Sequence, residues 1–215
     1  MTKDELEKDL IRNGYLKSPL LIEAFKKIDR KDFVPEDLGD LSYINEPLPI
    51  GFSQTISQPL TVAFMIELLD PRPGEKILDV GAGSGWQTAL IAYCVSSNSK
   101  KGEVVAIERI KELKEMAEEN VKKYNFIKKG VVKMFLGDGS KGYASEAPFD
   151  KIIAAASARE IPSVWKEQLK VGGRIVSPVF QSIWVLDKIS EPASGWKKQE
   201  YFGFSFVPLI SDGKK

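Results

Sequence analysis

The 215-residue sequence predicts an α/β fold, a doubly wound and mostly parallel sheet with antiparallel C-terminal strands and an N-terminal helical cap. Three observations predict it. Strand-like apolar runs alternate with helix-period segments from about residue 60 to about residue 180. The glycines Gly81, Gly83 and Gly85 stand where one such strand runs into the next helix. Beyond residue 180, two apolar and aromatic runs flank turn-forming residues with no helical period between them.

At the N-terminus, the spacing of Leu6, Leu10 and Ile11, then of Leu20, Leu21, Ala24, Phe25 and Ile28, fits two short amphipathic helices. Asn13-Gly14 and Ser18-Pro19 separate them. Between Arg30 and Pro59, the residues Pro35, Gly39, Pro47, Pro49 and Gly51 recur too often for a long regular element, so the backbone is expected to wander across a surface. Long irregular segments of this kind often carry function. Residues 60–69 read as a helix closed by Asp70-Pro71. Strands are expected over 76–80, 104–107, 132–136, 151–155 and 174–178, with helices around 87–95, 110–124 and 162–169. In the tail, 182–189 and 199–209 read as a hairpin joined by the turn-like stretch from Glu191 to Gly195. No repeat or linker divides the chain, which implies one domain: a cap and substrate segment over 1–59, a core over 60–180 and a hairpin over 181–215.

Composition narrows the chemistry. Lys and Arg total 31 against 30 Asp and Glu, so a net charge of +1 offers no global field for polyanions, and a dedicated nucleic-acid binder is disfavoured. The single Cys94 cannot form an intramolecular disulfide, which fits a reducing compartment. The charged N-terminus lacks an apolar signal core and no run has the length of a membrane span, so a cytoplasmic protein is expected. There is no histidine, which argues against hydrolytic triads, and no metal site is expected.

Three strand ends carry candidate ligand groups. Residues 77–85, Ile-Leu-Asp-Val-Gly-Ala-Gly-Ser-Gly, lead an apolar strand into a glycine turn and then a helix N-terminus with free N–H groups. The G-x-G-x-G spacing differs from the G-x-G-x-x-G of dinucleotide binders, and Asp79, two residues before Gly81, suits a cationic ligand. The strand at 104–107 runs into Glu108, where such folds deliver an acid to ribose hydroxyls; a surface glutamate at a helix start is the plainer alternative. Asp138, flanked by Gly137 and Gly139, either faces the same crevice to receive an adenine amino group or forms an Asp-Gly turn. Their order along the chain is the one needed to surround a nucleoside at the C-terminal edge of a sheet.

The 77–85 segment resembles methyltransferase motif I. The segment from Pro47 to Pro59, Pro-Leu-Pro-Ile-Gly-Phe-Ser-Gln-Thr-Ile-Ser-Gln-Pro, resembles the one that closes over the methyl donor in protein-L-isoaspartate (D-aspartate) O-methyltransferases. The resemblance continues colinearly through Phe33-Val34-Pro35, Ala147-Pro148-Phe149-Asp150, Ile161-Pro162, Gln168-Leu169, Gly172-Gly173-Arg174, Pro178-Val179 and Phe206-Val207-Pro208-Leu209. It implies a Rossmann-like, S-adenosylmethionine-dependent methyltransferase fold and methyl transfer to the free carboxylate of L-isoaspartyl residues in damaged proteins, which initiates repair through a succinimide. It also implies Ser57 as the catalytic residue, with Gln54, Thr55, Ile56, Gly81, Ala82, Gly83, Ser84, Gly85, Glu108, Arg109, Asp138 and Gly139 lining the S-adenosyl-L-methionine pocket; Asp79 joins them on the charge argument. The other reading of Ser57 is a cap for the helix after Pro59.

An isoaspartyl carboxylate is ionised at neutral pH, so the implied reaction needs alignment rather than a base, and the lack of histidine is no obstacle. The expected partners are isoaspartyl proteins or peptides, with no nucleic acid and no membrane, and the expected state is a monomer. The sequence departs from the family pattern at Asn45 (commonly aspartate), Ser53 (glycine), Leu60 (an aromatic or histidine) and Phe180 (glycine). These departures bear on the acceptor more than on the donor. Two rivals remain: a same-fold methyltransferase with a different acceptor, and a noncatalytic module that binds S-adenosylmethionine.

Overall fold

The computed structural model describes residues 1–190 and 195–211. Its centre is a seven-stranded sheet. Five parallel strands come first, β3 (Lys76–Val80), β4 (Glu103–Glu108), β5 (Val132–Leu136), β6 (Phe149–Ala154) and β7 (Leu169–Val179), followed by the antiparallel β8 (Ser182–Lys188) and β9 (Trp196–Phe202). The strand order β5-β4-β3-β6-β7-β8-β9 reverses direction beside β3. Ligands of such sheets bind outside the strand ends at that reversal.

Period-two alternation buries both faces. Ile77, Val104, Ile153 and Val176 pack on one side of the sheet with α3 (Pro59–Leu69), α4 (Trp86–Val95) and α5 (Lys111–Lys122). Leu78, Val105, Ile152 and Ile175 pack on the other with Trp165 of α6 (Ser163–Gln168). The cap is α1 (Lys3–Arg12) and α2 (Pro19–Lys27); a Thr2–Glu5 capping box starts α1, and α2 lays Phe25 edge-on against Trp86 of α4. Among the described residues, no helix is long and apolar enough to cross a membrane.

Two expectations are corrected. The region from Arg30 to Pro59 is not wholly irregular, because β1 (Leu48–Gly51) and β2 (Gln54–Ile56) form a two-stranded hairpin. The last strand ends at Phe202 rather than running from 199 to 209. Gly203, at φ +94°, turns the chain away, and Ser157 pairs with the departing segment through Val207 and Leu209. The turn expected from Glu191 to Gly195 lies, but for Gly195, outside the described residues.

Candidate active site

The reversal point is where the sequence put its glycines. Beyond β3, the N–H groups of Gly81 and Ala82 donate to the Ile107 carbonyl (2.8 and 3.1 Å), tying the turn to the end of β4. Gly85, at φ +89°, starts α4; a β-carbon there would lie 3.0 to 3.2 Å from Val121 and Ala117 of α5. Its role is close packing, so it stands behind the site rather than in its wall.

Glu108 ends β4 with its carboxylate almost wholly buried. One oxygen accepts from Gly83 N–H (2.9 Å), and the other from the N–H groups of Arg109 (2.8 Å) and Ile110 (3.0 Å). These three bonds fix the acid against the glycine turn, and a carboxylate has roughly four acceptor positions, so one stays available for a hydroxyl. The plainer reading of Glu108 as a surface residue does not hold.

Around this turn lies a cavity of about 560 Å³. Residues 54–58 form one part of its wall, residues 80–84 and 107–110 another, Gly137 and the buried Gly139 its floor, and the partly exposed residues 203–210 its rim. Gln54, Thr55, Ile56, Ser57, Gly81, Ala82, Gly83, Ser84, Glu108, Arg109 and Gly139 therefore line one cavity.

Two acids do not reach the wall. Asp79 is fully buried and accepts from Gln87 Nε2 (2.8 Å) and Thr88 Oγ1 (2.6 Å). It pins the first turn of α4 to β3, and burial, reinforced by the nearby Glu108 charge, pushes its pKa up to about 6 against the pull of those two hydrogen bonds. Asp138 turns inward to accept from Ser140 N–H (2.9 Å) and Oγ (2.6 Å), starting a short 3₁₀ turn, and leaves the cavity floor to the glycines beside it. Both acids shape the pocket from behind.

Conversely, residues 203–210, Ala155 and Ala156 line the cavity without having been foreseen. The only sequence signal was the Phe206-Val-Pro-Leu209 match. The segment is held by Phe204, stacked on Phe64 of α3 at 5.4 Å, and by Ser157 N–H donating to Val207 (2.7 Å) while its carbonyl accepts from Leu209 N–H (2.8 Å).

The wall carrying Ser57 is organised by Arg30. This guanidinium, 2% exposed, donates to the carbonyls of Ser42 (2.8 Å), Ile44 (3.2 Å), Glu46 (2.9 Å) and Ser57 (3.2 Å) and lies 5.3 Å from the Trp86 ring centroid. Desolvation pulls its pKa down to about 10, so it remains a cation at neutral pH. Ser57 is not the helix cap: Gln58 holds that position, and Asn45 Oδ1 accepts from Leu60 N–H (3.0 Å) at the start of α3. The Ser57 hydroxyl faces no hydrogen-bond partner among the described residues.

The cavity fits a methyl donor of nucleoside type. Its volume lies in the range of small-ligand pockets, the buried Glu108 ends β4 at the edge where folds of this kind place an acid for ribose hydroxyls, and Ile110 and Leu113 add apolar lining. Comparison with known proteins agrees. The family model described as protein-L-isoaspartate(D-aspartate) O-methyltransferase matches residues 1–214. The protein-L-isoaspartate O-methyltransferase of Methanopyrus kandleri is 44% identical over 214 residues, covering 98% of this chain and 92% of the relative, and that of Ignicoccus hospitalis is 43% identical over 212 residues, covering 98% of each. A Plasmodium falciparum chain described as a protein-L-isoaspartate O-methyltransferase, crystallised with S-adenosyl-L-homocysteine, superposes with a TM-score of 0.86 at 26% identity, covering 98% of this chain and 99% of that one. This chain belongs to the protein-L-isoaspartate(D-aspartate) O-methyltransferase family.

Proposed function

We infer that the chain methylates the free carboxylate of L-isoaspartyl residues in damaged proteins and peptides, using S-adenosylmethionine. The observation that carries this reading is one cavity lined by the glycine turn, by Glu108 and by Ser57, whose hydroxyl is unbonded among the described residues. Bound there, S-adenosylmethionine supplies an electrophilic methyl on a sulfonium. An unperturbed carboxyl group titrates near ~4, so the acceptor arrives ionised and no residue need remove a proton.

The protein's task is alignment. Ser57 Oγ–H donates to one oxygen of the acceptor and directs the other toward the methyl carbon, while residues 203–210 shield the cavity from water. Positioning of this kind supplies about 7–11 kcal/mol of barrier reduction. A neutral hydroxyl holds the carboxylate without quenching its nucleophilicity, as a direct cationic clamp would. Arg30 keeps its charge behind the wall, its two terminal nitrogens bonded to backbone carbonyls while its buried Nε has no partner. The methyl ester then cyclises to a succinimide, whose hydrolysis returns some normal aspartate.

The reading extends to a cytoplasmic monomer acting as a single domain, without nucleic acid or membrane. The near-zero net charge and the one buried thiol, Cys94, support it.

Two peptides differing only in L-isoaspartate against L-aspartate, incubated with labelled S-adenosylmethionine, test the reading. Base-labile label on the isoaspartyl peptide alone is expected. Donor binding with neither peptide labelled contradicts it and returns the chain to another acceptor or a binding role.

A further inference from the structure

The departures at Ser53 and Phe180 sit where the backbone asks for glycine. Phe180 adopts φ +53°, and the β1–β2 turn places Phe52 at φ +53° and Ser53 at φ +56°. In this left-handed region a β-carbon crowds the following carbonyl, and side chains persist there only when the surroundings hold them. Neither phenylalanine gains burial in return: Phe180 is 67% exposed and Phe52 53% exposed.

Both turns connect to segments that line the cavity. The Phe180 carbonyl accepts from Ser157 Oγ (3.1 Å), and Ser157 in turn pairs with the rim residues Val207 and Leu209. Phe202, 77% exposed, immediately precedes Gly203, where the rim begins, and Ile210, 45% exposed, closes it. On the hairpin, Phe52 stands two residues before Gln54, which lines the cavity. Ile210 thus lines the cavity itself, and the exposed Phe52, Phe180 and Phe202 sit on segments joined to its lining, two of them in conformations that stability alone would give to glycine.

The occupant follows from the chemistry inside. The acceptor is one side arm of a polypeptide, and a cavity of about 560 Å³ cannot take the chain that carries it, so the flanking residues must cross the rim. Resting on the methyl-transfer reading above, we propose that Phe52, Phe180, Phe202 and Ile210 form an apolar collar selecting isoaspartyl sites flanked by apolar or aromatic side chains. Such sites are accessible in unfolded or partly unfolded polypeptide, where core residues are exposed.

The test uses two isoaspartyl peptides of equal length and charge, one with leucine and phenylalanine beside the damaged residue and one with serines. The intact chain is expected to show a KM about tenfold lower for the apolar peptide, with similar kcat, as burial of an aromatic contact can supply. F180G moves the ratio of the two KM values toward one by raising that of the apolar peptide, and F202S adds to the effect. Thermal stability of F180G stays level or rises, which a merely structural phenylalanine would not allow. Equal KM values for the two peptides in the unaltered chain overturn the proposal, as does a change in F180G that affects both peptides alike. A dimer that F180G dissociates while both KM values hold makes the collar a self-interface and overturns it as well. Methylation of neither peptide fails the methyl-transfer reading itself.

Discussion

Replacing Arg30 with methionine keeps the buried stem and removes the guanidinium, so R30M isolates what that cation holds together. Four backbone carbonyls lose their donor, two of them at the ends of the hairpin segment, Glu46 and Ser57. At about 1.5 kcal/mol for each hydrogen bond to a charged group, the gross loss is about 6 kcal/mol. Relief of desolvation offsets part of it: the fall from 12.5 to about 10 is roughly 3.5 kcal/mol at ~1.4 kcal/mol for each pKa unit. The net cost is therefore about 2.5 kcal/mol, or about 5–10 °C in Tm for a chain of this size. Methyl transfer should suffer further, because Ser57 is no longer tied to Glu46 through one guanidinium group. R30K, which keeps the charge but not the planar fork, should fall between. Thermal unfolding followed by circular dichroism, with kcat and KM on an isoaspartyl peptide, checks both effects. An R30M chain that melts within 2–3 °C of the parent and methylates at the parent rate, where each kcal/mol is worth at least that much in Tm, would refute the clamp.

Two further outcomes follow from the pocket's supports. Burial lifts the Asp79 carboxyl from 3.8 to about 6, so the folded chain keeps a proton that the unfolded chain releases between about pH 4 and pH 6, and stability falls across that window as pH rises. D79N should flatten that slope, worth about 3 kcal/mol over two pKa units, when denaturant midpoints are compared at pH 4 and pH 7; an unaltered slope counts against the assignment. A β-carbon on Gly139 would lie 2.4 Å from Val80 Cγ1 at the cavity floor, with the Gly139 carbonyl pinned by Trp165 Nε1 (2.9 Å). G139A is expected to cost about 1–3 kcal/mol of stability and to weaken S-adenosylhomocysteine binding by calorimetry, whereas undiminished affinity would show that the floor yields.

What could be read in advance divides along physical lines. The five parallel strands were legible because each is an apolar run buried on both faces, and their ends were legible because glycines and acids interrupt those runs. β6 and β7 start earlier than expected because Pro148 and Gly172-Gly173 look like breakers; Pro148 stands just before β6, and the pairing takes up the two glycines of β7 through a register shift between Phe149 and Lys151. The β1–β2 hairpin hides behind Pro49 and Gly51, residues that an edge ribbon of two strands tolerates. Asp79 and Asp138 occupy the predicted strand ends, yet neither is among the residues lining the cavity, and Gln87, Thr88 and Ser140 donate to their carboxylates. The Asp138–Ser140 contact is the local turn that was the plainer of its two readings, whereas the competition for Asp79 is tertiary and leaves no periodic trace. The rim at 203–210 was out of reach for the same reason, since it depends on Ser157, some fifty residues earlier in the chain.

The central claim is that Ser57 orients an acceptor carboxylate opposite a donor held by the glycine turn. Its most direct test is S57A, with S-adenosylmethionine affinity and single-turnover methylation of an isoaspartyl peptide measured on the same preparation. Retained donor affinity with transfer slowed by about 10²-fold or more is predicted, the loss expected when a positioning contact is removed. Transfer at the parent rate, with donor affinity intact, would contradict the assignment of Ser57.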